Sequence, residues 1–169
     1  MKRQGTAWIM LIAVALAGCA PMPEDAQGMR KMWNGHPGQK YYPQLHTEVD
    51  LPYEKVVQHV KRMAHQCLEV TRNVSEKTDD GATAHWQDVY TPTMAITRRK
   101  SELFLVETMP GNAGSEQHIP LITADFTPAA GNRTKVVIYH LAFDPSLRTA
   151  HAIAAWAEAK DVGCPDMNR

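Results

Sequence analysis

The chain has 169 residues, with 18 basic and 18 acidic side chains and a formal net charge of zero. This balance offers no electrostatic basis for binding nucleic acid, or for binding anionic lipid headgroups through a basic patch. The length suffices for one domain with a sizeable core.

The N-terminus has the pattern of a secretion signal. Lys2 and Arg3 precede an unbroken apolar run over residues 7–17. A membrane-spanning helix needs about 20 apolar residues, so this run is too short to be a mature span. A basic start, a short apolar core and small residues at its end predict a secretory signal peptide.

The signal ends in Leu16-Ala17-Gly18-Cys19, which resembles the lipobox of bacterial lipoproteins. The resemblance covers residues 1–19 and implies that residues 1–18 are removed as a signal peptide. It also implies a diacylglycerol on the Cys19 thiol and a fatty acid such as palmitate on the new amino group. The alternative is a buried cysteine in an N-terminal core helix.

This resemblance also implies a location. Several acyl chains on one residue anchor a protein stably in a leaflet. Ala20, rather than Asp, follows the cysteine, which in lipoprotein sorting implies the outer membrane, with the domain facing the periplasm. Since residues 1–18 hold two basic and no acidic side chains, the mature chain has a formal net charge of −2.

Two cysteines remain once Cys19 is lipidated, Cys67 and Cys164. A cysteine pair in the oxidising periplasm usually forms a disulfide. We therefore predict a Cys67–Cys164 bond, which closes a loop of about 97 residues. Two free buried thiols are the alternative.

The mature chain divides into a tether and one domain. Residues 19–40 are polar, interrupted by Pro and Gly, and lack a helical or strand period, which predicts a flexible tether. Trp33 and the Tyr41-Tyr42 pair indicate that part of the tether packs on the domain edge. Residues 41–169 form the single periplasmic domain.

The domain begins with a strand over residues 43–50 and a helix over residues 52–68. Asp50 is the predicted cap of this helix and Pro52 lies in its first turn. Apolar residues at helical spacing form one face, and Cys67 lies on it near the C-terminal end. The pattern then changes to short β segments separated by turns. They are predicted near residues 70–74, 82–90, 93–97, 103–109, 119–127 and 134–142, with Thr91-Pro92 ending one of them.

A last helix is predicted over residues 147–160, with Asp144 or Ser146 as its cap and Gly163-Cys164-Pro165 as its end. Its apolar face is Leu147, Ala150, Ile153, Ala154 and Ala157, with Trp156 near the edge. The predicted order is β-α-β-β-β-β-β-α. This order predicts an α+β domain, a curved antiparallel sheet of five or six strands with both helices on one face. In element order, without a shared residue motif, it resembles the helix-grip group, which includes envelope lipoprotein domains and carriers of hydrophobic ligands.

No catalytic or metal-binding motif occurs in the sequence, so we predict no enzyme, cofactor or metal site. His59 and His65 are six residues apart on the predicted helix, about 240° around it, and cannot share a ligand. His85 and His140 fall on strands and could face each other, although single surface histidines are the simpler interpretation.

Two charged groups are weaker candidates for a site. The run Arg98-Arg99-Lys100 could bind a phosphate of a lipid or glycan, although such triplets are usually solvated turns. Asp125 could place a carboxylate on an inward face, but no partner carboxylate for acid–base chemistry is evident.

Three functions remain open. The first is a non-catalytic, membrane-anchored lipoprotein that binds another envelope protein or stabilises an envelope complex. The second is a carrier of a lipid or small apolar ligand between sheet and helices, and the third is an enzyme of unrecognised type. An empty pocket of several hundred Å³ between helix and sheet would favour the carrier, and a filled interface with an exposed apolar patch would favour partner binding.

Overall fold

The centre of the domain is a six-stranded antiparallel sheet that curls into a half-barrel. The computed structural model describes residues 25–34, 44–111 and 114–167. The strands are β1 (Gln44–Val49), β2 (Val70–Lys77), β3 (Thr83–Ile96), β4 (Ser101–Pro110), β5 (Glu116–Ala129) and β6 (Arg133–His140). The helices are α1 (Ala26–Asn34), α2 (Tyr53–Leu68) and α3 (Asp144–Ala157).

The sheet order is β1-β6-β5-β4-β3-β2. The α+β class, the curved antiparallel sheet and the placement of α2 and α3 on one face are confirmed. The helices cover the concave face, where alternate strand residues such as Leu103, Ile122 and Ile138 form the core. Of the helices described here, none has the length and apolar character needed to cross a membrane. The predicted signal peptide and Cys19 lie outside the described residues.

Helix α2 has the predicted apolar face, which includes Val56, Val60 and Cys67. Its predicted cap is wrong, because Pro52 is the N-cap residue and no side chain caps the helix. The Pro52 carbonyl instead accepts hydrogen bonds from the backbone N–H groups of Lys55 and Val56.

Strand β3 is continuous through Thr91 and Pro92, so the predicted break there is wrong. Its partner β2 begins at Val70, opposite Tyr90. Residues 91–96 of β3 therefore pair with β4 alone, and Pro92 lies on a free sheet edge. A proline is tolerated on such an edge because its missing N–H breaks no ladder bond.

Helix α3 differs from its prediction in bounds and orientation. It ends at Ala157, and Ala159 follows with φ 58°, so the left-handed residue that commonly terminates a helix is an alanine and not Gly163. Phe143 is the N-cap residue and no side chain caps the helix. Trp156 is fully buried, whereas Leu147 is exposed. The predicted apolar face is therefore wrong in its rotation about the helix axis, because burial of the largest side chain decides that rotation in an Ala-rich helix.

The C-terminal segment, residues 158–167, turns back along α3. The Asp166 carbonyl accepts a hydrogen bond from Arg148 Nε at 3.0 Å, near the start of the helix. Cys164 lies on this segment, and its Sγ is 2.07 Å from that of Cys67. The predicted pairing is therefore present, but it joins α2 to the returning segment rather than to the end of α3.

Residues 26–34 lie in the predicted tether and form α1, so the expectation of no helix there is wrong. The Asp25 carboxylate caps α1 by accepting a hydrogen bond from the Gly28 N–H at 2.6 Å. Ala26 and Met29 are buried against Phe104 on the convex face of the sheet. The side chain of Trp33, and Tyr41 and Tyr42, lie outside the described residues.

Arg30 fixes α1 to the sheet by charge. Its Nε and Nη2 donate to the two carboxylate oxygens of Asp125 at 2.9 and 2.5 Å, and Nη2 also contacts Glu102. Lys100 Nζ lies 3.1 Å from Asp125 and completes this cluster. Bidentate arginine–carboxylate pairs are among the stronger charged contacts in proteins.

The disulfide leads to a first prediction. Because the bond closes a loop spanning 97 residues, replacing both Cys67 and Cys164 with Ala should lower the free energy of unfolding by at most about 4.7 kcal/mol. Urea denaturation with and without reductant measures this. The doubly substituted protein should be insensitive to reductant, and unchanged stability would contradict the prediction.

Helix α1 leads to a second prediction. Arg30→Gln removes charged hydrogen bonds worth about 1.5 kcal/mol or more, so amide exchange over residues 26–34 should accelerate about tenfold. Lys31→Gln removes the same charge from an exposed position on α1 and should leave exchange unchanged. Equal exchange in both variants would show that Arg30 does not hold the helix. Hydrogen–deuterium exchange measured by mass spectrometry distinguishes the two results.

Candidate functional site

An open cleft with a volume of about 490 Å³ lies between α2 and β3. Helix α2 begins beside the β3–β4 turn, where Tyr53 Oη donates to the Thr97 carbonyl at 2.7 Å and lies 2.5 Å from Ser101 Oγ. The helix ends just before β2 begins opposite Tyr90. It therefore runs back along residues 91–96 of β3, and the cleft lies between them.

The cleft has an apolar floor and a cationic rim. The floor is formed by Ala64, Pro92, Met94 and Leu103, and the rim by Gln58, Lys61, Arg62 and His65 of α2. Beneath the centre of α2 the helix–sheet interface is filled by fully buried side chains, including Val60, Leu105 and Ile122. The cleft is thus a groove at the margin of a packed core.

The β3 side of the groove is an unpaired strand edge. Thr97 N–H bonds the Lys100 carbonyl across the β3–β4 turn. Because backbone groups alternate in direction along an antiparallel strand, odd-numbered residues of this stretch face β4 and even-numbered ones face outward. The outward groups are the N–H groups of Met94 and Ile96 and the carbonyls of Pro92 and Met94. Ile96 is also exposed, with 48% of its surface accessible.

A second polar group lies buried on the concave face. Asp88 is 1% exposed, and its carboxylate accepts hydrogen bonds from Arg72 Nη2 at 2.8 Å and Trp86 Nε1 at 2.9 Å. Arg72 Nη1 also donates to the Met167 carbonyl of the C-terminal segment. The guanidinium lies 6.0 Å from the centre of the Tyr90 ring. This arrangement joins β2, β3 and the C-terminal segment and leaves the carboxylate paired.

Tyr90 and Glu107 form a neighbouring buried pair. Tyr90 Oη donates to Glu107 Oε1 at 2.7 Å. Burial raises the pKa of Tyr90 well above its ordinary value, and the hydrogen bond to Glu107 adds to this effect. The hydroxyl stays protonated and acts as a structural donor, so we assign it no proton-transfer role.

His140 is buried between the sheet and α3. Its Nδ1 lies 2.8 Å from the Leu141 carbonyl, so Nδ1 carries the proton. Its Nε2 has no hydrogen-bond partner in the part of the chain that the structure describes. Burial lowers the pKa of His140, opposed by the hydrogen bond to Leu141, and nearby His151 lowers it further. The imidazole is therefore neutral in the folded protein at pH 7.

The histidines do not converge. His85 is exposed on β3, whereas His140 is buried on β6, and β4 and β5 separate the two strands. His59 Nδ1 contacts Arg62 and His65 Nδ1 contacts Glu69, so neither approaches the other. The residues with described positions contain no group of three or more potential metal ligands.

The two charged candidates differ from expectation. Asp125 lies on the convex face and pairs with Arg30 and Lys100, so the predicted inward position is wrong. Arg98 and Arg99 are exposed in the β3–β4 turn, at the end of the unpaired edge of β3. Within the run Arg98-Arg99-Lys100, only Lys100 forms an ion pair with another residue that the structure describes.

The buried acidic residues were missed, although the sequence carried a signal for them. Glu107 follows Leu103 and Leu105 at a spacing of two, which places it on the inward face of β4. Asp88 likewise lies two residues from both Trp86 and Tyr90, which places it on the same face of β3 as these two rings. The groove itself had no such signal, because it arises from the different lengths of β2 and β3.

Comparison with known proteins adds no assignment. No protein-family model matches the chain, and neither the curated proteins nor the solved structures contain a match.

His140 leads to a third prediction. Its folded pKa lies below the ordinary value of about 6.5, so the unfolded chain binds the proton more readily. The stability contributed by neutral His140 is complete above pH 6.5 and is lost as the pH falls below it. His140→Gln should therefore lose less stability than the parent protein between pH 7.5 and 5.5.

Urea denaturation at several pH values measures this difference. His85→Gln is the matched control, because His85 is exposed, and it should retain the full pH dependence. An identical pH dependence in the parent protein and His140→Gln would contradict the assignment.

Proposed function

We propose that this chain is a non-catalytic, lipid-anchored lipoprotein of the bacterial outer membrane whose periplasmic domain binds another envelope protein or stabilises an envelope complex. The support for the anchor is the lipobox-like run Leu16-Ala17-Gly18-Cys19 after a short apolar segment. The support for periplasmic exposure is the Cys67–Cys164 disulfide, a bond typical of oxidising compartments.

One observation favours protein binding over ligand carriage. The interface under α2 and α3 is filled with buried side chains, so the apolar groove lies at its margin and opens to solvent. Pro92 and Met94 on the floor of that groove continue into exposed Ile96, and the three side chains form an apolar strip along β3. A filled interface with an apolar strip at its edge is the arrangement expected of a surface that contacts another protein.

Helix α1 is consistent with an anchored domain held near the leaflet. Ala26 is the first buried residue of α1, seven residues after Cys19. A fully extended chain of that length spans about 25 Å. The tether is therefore much shorter than the predicted span of residues 19–40, and an acyl group on Cys19 would keep the convex face close to the membrane.

The groove also favours a second candidate, a carrier of a lipid or small apolar molecule. Its volume of about 490 Å³ lies within the range of small-molecule sites, and its floor is apolar. Such sites usually enclose most of the ligand surface, however, whereas this groove is open along one side. The carrier is therefore the alternative.

Crosslinking in intact cells tests the proposed function. A photoreactive amino acid is placed at Thr47, Gln58 or Lys77, three positions on different parts of the domain, and captured proteins are identified by mass spectrometry. We expect one envelope protein to be captured repeatedly from the anchored chain. Cys19→Ala should reduce the capture at least tenfold, because the lipid anchor confines the domain to the same leaflet as its partner.

Two results would count against this function. One is a Cys19→Ala protein that still fractionates wholly with membranes, which would exclude the proposed anchor. The other is an absence of captured protein together with one tightly bound fatty acid per purified chain, measured by native mass spectrometry. That second result would support the carrier.

A further inference from the structure

The structure offers a specific docking surface at the α2–β3 groove. We propose that this groove binds an extended, acidic segment of a partner protein, which adds as a strand to the free edge of β3. This inference rests on the proposed function and specifies the class of partner segment. Its three supports are the unpaired backbone of β3, the apolar floor of the groove and the charge of its rim.

The first support is the strand edge. The first residue of β2, Val70, pairs with Tyr90 of β3. The six residues of β3 that follow Tyr90, residues 91–96, therefore pair with β4 alone. Met94 and Ile96 direct N–H groups outward, and Pro92 and Met94 direct carbonyls outward. Unpaired donors and acceptors at this spacing are the template on which an extended peptide forms main-chain hydrogen bonds.

The second support is the floor of the groove. Pro92, Met94 and Ile96 alternate with outer-face residues, so their side chains line the same side of β3 as Leu103. A strand paired with this edge would place every second side chain over this apolar surface. We therefore expect the bound segment to carry apolar or β-branched residues at alternate positions.

The third support is charge. Lys61 and Arg62 line the groove, and Arg98 and Arg99 project from the turn at its end. No acidic residue of the described chain forms an ion pair with any of these four. The acidic residues of α2 and its cap lie at the two ends of the helix. Glu69, at the C-cap, contacts His65, and Glu54 lies in the first turn. The cationic side chains are thus in excess, and acidic side chains on the incoming segment would complement them.

The same charge argues against two other occupants. A second copy of this chain, pairing β3 edge to β3 edge, would bring Arg98 and Arg99 of one chain toward the same cationic rim on the other. Residues 35–43 of this chain contain Lys40 and no acidic residue, so they do not complement the rim. An acidic segment from a different protein avoids both conflicts.

Selection of peptides provides the test. The purified, oxidised protein is used to select binders from a displayed library of random twelve-residue segments. We expect enrichment of acidic segments with apolar or β-branched residues at alternate positions. On binding the best selected peptide, the amides of Met94 and Ile96 should become at least tenfold slower in hydrogen exchange, measured by NMR on the unsubstituted protein.

Substitutions separate the backbone contribution from the charge contribution. Met94→Pro removes an outward N–H that β4 does not use, and it should weaken the selected peptide at least tenfold, whereas Met94→Leu should bind as the parent does. Lys61→Glu combined with Arg62→Glu should also weaken binding at least tenfold. Lys77→Glu combined with Lys135→Glu makes the same charge change at exposed positions away from the groove and should have little effect.

Several results would overturn the inference. These are selected peptides without acidic residues, binding that leaves the Met94 and Ile96 amides unprotected, and concentration-dependent pairing of the protein through β3. Displacement of the peptide by one equivalent of fatty acid bound in the groove would also overturn it. Failure here, with an envelope protein still captured in cells through another surface, would leave the proposed function intact.

Discussion

The fold depends on one topological constraint, the crossing of the concave face by α2. Strands β1 and β2 are consecutive in the chain but lie at opposite edges of the sheet. Their connection must therefore traverse the whole face, and an amphipathic helix can do so while burying apolar surface on both sides of the interface. Tyr53 is hydrogen-bonded to the β3–β4 turn at one end of α2, and Cys67 is disulfide-bonded at the other.

The remaining concave surface determines the roles of α3 and the C-terminal segment. Helix α3 follows β6 and buries Ile153 and Trp156 beside α2. The segment after it returns along the helix and contributes Met167 to the core. Its backbone carbonyl at Met167 accepts from Arg72, whose guanidinium also pairs with buried Asp88. The C-terminal segment thus adds a second hydrogen-bond acceptor for the Arg72 guanidinium, which Asp88 already pairs by charge.

The features that depend on local periodicity could be predicted from the sequence. Those that depend on contacts between residues far apart in the sequence could not. The apolar face of α2, the order of strands and helices along the chain from β1 to α3, and the Cys67–Cys164 pair follow from spacing and from cysteine count. The rotation of α3 could not be predicted, because several alanines give similar burial at any rotation and only packing around Trp156 distinguishes them. Helix α1 was missed because nine residues form a stable helix only when docked. The contacts of Met29 and Arg30 that dock it are 72 to 95 residues distant in sequence.

The same reasoning applies to the candidate site. The residues on the rim and floor of the groove are visible in the sequence as a helix face and a strand, and nothing in either segment shows that they lie side by side. Pro92 was interpreted as the end of a strand, since proline removes a ladder hydrogen bond. In the folded chain it shows instead where β3 lacks a second neighbour.

An exposed strand edge is a hazard as well as a binding surface, and the chain limits that hazard. The free stretch of β3 is six residues long, Pro92 removes one of its outward donors, and two arginines lie at its end. Short length, proline and cationic side chains are the features by which natural sheets prevent edge-to-edge pairing of identical chains. Repulsion between identical cationic edges becomes attraction when the incoming strand is acidic. The features that oppose self-association therefore also select the charge of a partner, so solubility and specificity here have a common physical origin.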